Sequence, residues 1–195
     1  MSELLLPPRL HALALTVLFL GVATVSSGQT TPPEETLEAR EQARLCERLD
    51  EEEGIAACRA ALALGLGPER RGPVREILAR HLVDLERWGE LAEHYRDDVR
   101  LTPENAEPWR RLGTILLFAL NQRVEALAAF EEASRLDPTD APTLCLLGIA
   151  LHSLGRFVEA TKAFDDALRL DPGILDNRPA ARRVREAARR GEPWP

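Results

Sequence analysis

Residues 124–138 read VEALAAFEEASRLDP, and residues 158–172 read VEATKAFDDALRLDP. The second stretch lies 34 residues after the first, so Ala126, Phe130, Ala133 and Pro138 return as Ala160, Phe164, Ala167 and Pro172. Self-similarity at a fixed period of this length marks a stack of small supersecondary units, none of which can bury its apolar face alone. Upstream, Leu112-Gly113 and Leu147-Gly148 are 35 apart, so the middle copy holds one additional residue between Gly113 and Ala126. A third copy agrees: Leu78, Ala79 and Leu82 precede Leu112, Gly113 and Leu116 by 34, whereas Tyr95 and Pro103 precede Phe130 and Pro138 by 35. The insertion is placed in the turn from Leu117 to Val124.

Within each unit the spacing predicts two antiparallel helices. Trp109, Leu112 and Leu116 fall at i, i+3 and i+7, and Ala126, Phe130 and Ala133 fall at i, i+4 and i+7, each a single helical stripe. Gly113 lacks a side chain, so the following helix can come close and Phe130 can fill the space beside Trp109. Ala126 and Ala133 are small for the same steric reason. Pro138 and Pro172 stop the second helices, and Asn105 and Asp140 suit the N-caps of the helices that follow. The composition supports an all-α chain: 45% of residues are apolar and only 5% aromatic, with Ala, Leu, Glu and Arg dominant.

This pattern resembles the tetratricopeptide repeat. The middle copy carries Trp109, Leu112, Gly113, Leu116, Ala126, Phe130, Ala133 and Pro138. The last copy is fuller, with Leu144, Leu147, Gly148, Leu151, Gly155, Phe157, Ala160, Phe164, Ala167 and Pro172. The first copy keeps Leu78, Ala79, Leu82, Trp88, Tyr95 and Pro103, but Leu91 replaces a small residue and Asp98 stands where Ala133 and Ala167 pack. Its helices are therefore expected to cross at a different angle. The resemblance implies a right-handed α-solenoid of stacked antiparallel helix pairs, with divergent repeat 72–105 and regular repeats 106–140 and 141–174. Residues 36–71 read as a degenerate helical hairpin cap whose pattern is broken from Asp50 to Gly54. Residues 175–195 read as a terminal capping helix and tail, with Pro179 in the first turn, Gly191 past the end, and Ala180, Val184 and Ala187 or Ala188 covering the last apolar face.

The N-terminus reads as a targeting segment. In residues 1–28, Arg9 precedes 14 residues from Ala12 to Val25 with no charge, followed by Ser26, Ser27 and Gly28. That is the layout of a cleavable leader, and the run is short for a bilayer span, which needs roughly 20 residues. An uncleaved membrane anchor is the competing reading. Residues 29–35 are expected to be a disordered lead-in. The expected location is outside the cytoplasm, periplasmic or secreted, where a disulfide can persist. A hairpin turning near residue 52 brings Cys46 and Cys58 to one height, so they either pair or remain two small buried thiols; Cys145 is left over.

The family resemblance implies that the first helices of successive units line a concave face. One stripe on them is Glu76, Arg80 and Val83, then Arg110, Thr114 and Leu117, then Cys145, Ile149 and His152. Such a stripe suits another protein or a peptide segment of one. Some members of the family clamp a chaperone's terminal carboxylates with Lys, Asn and Arg. Here Glu76, Arg80, Arg111, Pro142 and Leu146 hold those places, so that clamp is not carried over.

Other function classes find little support. The chain carries 25 basic against 32 acidic residues, a net charge of -7, which argues against nucleic-acid binding. His81, His94 and His152 lack metal-ligand spacing, Ser134 and Ser153 fall inside helices, and no phosphate-cradling glycine loop occurs. Neither an enzyme nor a cofactor or metal is expected. Glu131-Glu132 and Asp165-Asp166 read as outer-face carboxylates paired at i,i+4 with Arg135 and Arg169. Residues 34–53 hold nine acids and three bases, whereas residues 176–192 hold six arginines and three acids. Oppositely charged ends make self-association an alternative function, and a helper domain for a separately encoded enzyme is another.

Overall fold

The computed structural model describes residues 35–176 and 178–193; the expected leader and nearly all of the lead-in lie outside them. Among the described residues there are nine α-helices and no strand. They are α1 (Leu37–Arg48), α2 (Glu51–Ala63), α3 (Pro68–Asp84), α4 (Trp88–Leu101), α5 (Ala106–Phe118), α6 (Arg123–Leu136), α7 (Ala141–Ser153), α8 (Phe157–Leu170) and α9 (Pro179–Arg190). Each packs mainly on its chain neighbours, and α9 lies on both α7 and α8. None of these helices is long and apolar enough to cross a membrane.

The two regular repeats show why the glycines are fixed. A Cβ at Gly113 would lie 2.8 Å from the Phe130 ring, and one at Gly148 would lie 2.9 Å from the Phe164 ring. The rings occupy the space that a side chain would need. Phe130 and Phe164 are wholly buried, as are Ala126, Ala133, Ala160 and Ala167. Leu78, Leu82, Tyr95, Leu112, Leu116 and Leu151 join both rings in one core, with half-buried Trp109, Leu144 and Leu147 packed against it. Burying each ring contributes about 2–3 kcal/mol. The Asn105 side chain accepts from the Glu107 N–H at 3.1 Å, and that of Asp140 from the Thr143 N–H at 3.3 Å, capping α5 and α7.

The additional residue of the middle copy sits in the α5–α6 turn. Residues 119–122 connect those helices, against 85–87 and 154–156 in the neighbouring units. Asn121, in the left-handed region at φ 54°, absorbs the change of direction.

Three boundaries differ from the sequence reading. The cap pattern is not broken from Asp50 to Gly54: the turn is only Leu49 and Asp50, and Gly54 lies buried inside α2. It is a close-approach glycine, because a Cβ there would meet the Leu49 carbonyl oxygen at 2.6 Å and His81 Nε2 at 2.7 Å. The first helix of the divergent repeat starts at Pro68 rather than near residue 72, since Pro68 takes the first position and Pro73 is accepted within the helix. In α9 the inward small residue is Ala181, with Val184, Ala187 and Ala188, while Ala180 faces solvent. Gly191, at φ 67°, ends that helix.

A disulfide joins Cys46 on α1 to Cys58 on α2 across a sequence separation of 12. The other buried residues of α1 are Ala39 and Ala43, with Leu45 half-buried against the core, so the bridge supplements a thin apolar contact. His81 of α3 reaches the Cys46 carbonyl oxygen at 3.2 Å and ties the cap to the array.

Candidate functional site

The stripe on the first helices is open at one end and closed at the other. Arg80 and Val83 on α3 are exposed, Val83 by 42%, and Arg80 takes part in no hydrogen bond or ion pair among the described residues. Glu76 is exposed but bound: Arg111 Nη1 donates to both its oxygens at 2.7 and 2.8 Å. Arg111 also lies 5.9 Å over the Tyr95 ring and bonds Glu107 at 2.7 Å. Burial works against the Arg111 charge, yet its bonds to Glu76, Glu107 and Tyr95 outweigh it and raise its pKa further above the ordinary arginine value. Burial likewise pushes the Tyr95 hydroxyl up.

On α5, Arg110 is half-buried and held by Glu107 at 2.5 Å, with Asp140 at 3.8 Å. Glu107 is pushed up by burial, but bonds from Arg111 and Arg110 prevail and lower it. Thr114 is half-buried and its hydroxyl donates to the Arg110 carbonyl oxygen at 2.8 Å. Leu117 is buried.

On α7 the expected stripe is not accessible. Cys145, Ile149 and His152 are all buried, because α9 packs on α7 as the first helix of a further repeat would. His152 Nε2 meets the Glu192 carbonyl oxygen at 3.0 Å and its ring lies against Phe157. Burial raises the Cys145 thiol, which makes it a poorer nucleophile. The spacing places α9 at the end of the stack but carries no signal of which face of α7 it shields.

The divergent repeat explains its own departures. Leu91, wholly buried, is a larger wedge than Ala126 or Ala160, and α3 and α4 touch along less of their length than α5 with α6 or α7 with α8. The backbones of α3 and α5 stay apart, although those of α5 and α7 meet. Between α3, α4 and α5 lies a cleft of about 390 Å³ lined by Arg71, Arg75, Glu76, Tyr95, Asp98 and Arg111. Within it Asp98 is paired with Arg75, and His94 Nε2 stands 3.4 Å from the other Asp98 oxygen.

The outer carboxylates also pair differently than their spacing suggested. Arg135 meets Glu132 and Arg169 meets Asp166, both at i,i+3. Glu131 faces Arg156 at 3.7 Å, while Asp165 takes Arg185 and Arg189 of α9 at 2.7 and 3.2 Å. Asp165 therefore helps to seat the terminal helix. Among the described residues no group of three or more His, Cys, Asp or Glu is placed to hold a metal ion.

Residues that carry no repeat signature were not singled out from sequence. Phe118, 56% exposed at the end of α5, is the clearest, and Arg123 beside it is another. The available signal was the inserted residue between them.

Residues 117–187 match the Tetratricopeptide repeat family. Among solved structures the fold is similar to that of YrrB, described as a TPR protein with an unusual peptide-binding site. That match has 23% identity and a TM-score of 0.57, covering 77% of this chain and 72% of that one. MamA 41-end from Desulfovibrio magneticus RS-1 is similar at 18% identity and TM-score 0.61, covering 80% and 92%. The TPR2B domain of yeast Sti1, solved in a pHsp70 complex, is similar at 17% identity and TM-score 0.52, covering 60% and 94%. No curated protein matches the sequence at a significant level. The helix pairs thus stack in the fold of tetratricopeptide-repeat structures.

Proposed function

We propose that this array is an exported, non-catalytic scaffold that holds a segment of another protein on the open part of its first-helix stripe. The observation that carries this reading is Arg80, an exposed cation with no internal partner, three residues from the exposed Val83. An uncommitted charge beside an apolar group is what a partner segment can use, whereas Arg110, Arg111 and Glu76 are already bound to one another's neighbours. Peptide-binding among proteins of similar fold supports a peptide or protein partner. The leader-like N-terminal sequence and the Cys46–Cys58 disulfide favour an oxidising compartment.

The test is affinity capture from native extracts with wild-type protein and Arg80→Glu/Val83→Glu. Both positions are exposed, so helicity should be unchanged while capture is lost; full capture by the variant contradicts the reading. Mass spectrometry of the N-terminus in the same preparation tests export, with loss of the first 28 or so residues expected.

A second reading is self-association through the ends. In its favour, α9 turns Arg182, Arg183, Arg189 and Arg190 outward, while Glu52, Glu53 and Asp50 are exposed at the other end. Salt-sensitive, concentration-dependent mass in light scattering would support it, and a monomer at all concentrations would exclude it.

A further inference from the structure

The α5–α6 turn differs from its counterparts by its inserted residue. In all three repeats a backbone N–H after the first helix bonds back to an equivalent leucine carbonyl: Arg87 to Leu82, Gln122 to Leu116 at 2.7 Å, and Arg156 to Leu151 at 3.0 Å. The closure is kept, so the extra residue widens the loop instead of lengthening either helix. At its edge stands Phe118, 56% exposed, where the other repeats have Asp84 and Ser153. A phenyl ring left this open adds little to the core. Leu117, Phe118, Asn121, Arg123 and Ser153 enclose a cavity of about 220 Å³.

Arg123 is fixed at this cavity without being neutralised. Its Nε donates to Asn121 Oδ1 at 2.9 Å and its Nη1 to the Ser153 carbonyl oxygen at 3.1 Å, both uncharged acceptors. No carboxylate lies within ion-pair distance of it among the described residues, and Nη2 makes no hydrogen bond there. A rigidly held guanidinium with an open N–H beside an apolar hollow selects a carboxylate next to an apolar side chain.

We propose that this turn is a docking pocket for a partner segment in which a leucine-sized apolar residue is followed directly by an acidic one. The apolar group fills the hollow against Phe118 and Leu117, and the carboxylate accepts from Arg123. The proposal rests on the scaffold reading above and gives the chemistry of one anchor of the bound segment, at a place apart from Arg80.

The experiment is a titration of ¹⁵N-labelled protein with the peptide Gly-Ser-Leu-Asp-Ser-Gly, followed by amide chemical shifts. Shifts should concentrate at residues 117–123 and Ser153. Binding should weaken by about tenfold or more when the peptide's Leu is replaced by Ser or its Asp by Lys, and likewise for Phe118→Ser and Arg123→Glu protein. Arg123→Lys should retain part of the affinity, which a purely structural role for the turn would not produce. Absence of shifts at these residues, or equal binding by the lysine peptide, overturns the pocket. Capture of a partner that is lost in Arg80→Glu/Val83→Glu but kept in Phe118→Ser/Arg123→Glu overturns the pocket while leaving the scaffold reading intact. Peptide shifts at the turn together with full capture by the Arg80/Val83 variant overturn only the open-stripe assignment.

Discussion

Arg75 on α3 and Asp98 on α4 form an ion pair at the two positions where the second repeat has Trp109 and Ala133 and the third has Leu144 and Ala167. A large and a small apolar residue at these positions have been replaced by a charged pair with side chains only 15% and 20% exposed. Arg75 also donates to the His94 carbonyl oxygen at 3.0 Å, so the guanidinium is satisfied by two groups one turn apart on the same face of α4. The exchange explains how a repeat with Asp98 in an alanine slot still closes.

Asp98→Ala should therefore destabilise the protein by about 2–3 kcal/mol, because it leaves Arg75 half-desolvated and unpaired. Arg75→Leu should cost a similar amount. The double variant, which recreates the leucine–alanine pairing of the third repeat, should recover most of the loss. Urea unfolding of the four proteins forms the cycle; strictly additive effects would mean the pair is not coupled.

Gly113→Ala and Gly148→Ala should each destabilise by about 1–2 kcal/mol, the steric cost against Phe130 or Phe164 exceeding the helix propensity that alanine adds. In a Phe130→Leu background, Gly113→Ala should be nearly neutral, because the ring that crowds the new methyl group is gone. A thermal melt of each pair distinguishes crowding from a general glycine effect.

Reducing the Cys46–Cys58 bond should cost about 2–3 kcal/mol, or roughly 5–10 °C in Tm, from the loop it closes. The loss should be local, since an array of repeats is held by contacts between neighbours. Hydrogen exchange should show α1 and α2 losing protection while α5–α8 keep theirs, and Cys46→Ser/Cys58→Ser should reproduce the pattern. Uniform loss across all helices would contradict it.

His94 gives the pH dependence its sign. Burial lowers its pKa below the ordinary 6.5, against the raising influence of Asp98 and the smaller ones of Asp97 and Glu76, while Arg75 lowers it further. Between the folded and unfolded pKa values only the unfolded chain binds the proton, so this contribution is complete above about pH 6.5 and falls as the pH drops below it. His94→Gln should flatten the stability profile as the pH falls below about 6.5, as read by urea midpoints. An unchanged slope would assign the acid sensitivity to another group.

How much of this was legible in the sequence depends on which neighbours a residue meets. Gly113 and Phe130 belong to one repeat, so their relation followed from spacing, as did the helical stop at Pro172 and the left-handed end at Gly191. Gly54 was misread as a break because its reason is close approach in space, to the Leu49 carbonyl of the preceding turn and to His81 of α3, which lies outside its hairpin. Cys145, Ile149 and His152 occupy the same register as Glu76, Arg80 and Val83, yet their exposure is set by α9. Periodicity records a residue's place within its repeat but not what covers it. Phe118 escaped notice because its counterparts, Asp84 and Ser153, are polar, so the position carries no repeat signature.

The central claim is that a partner lies on the open first-helix stripe of this array. Its most direct test is a photo-crosslinking amino acid placed at Val83 and, separately, at Val158, which is 85% exposed at the start of a second helix. Cross-linking in cells should give a discrete adduct with another protein from position 83 and none from position 158. An adduct only from position 158, or none from either, would contradict the account.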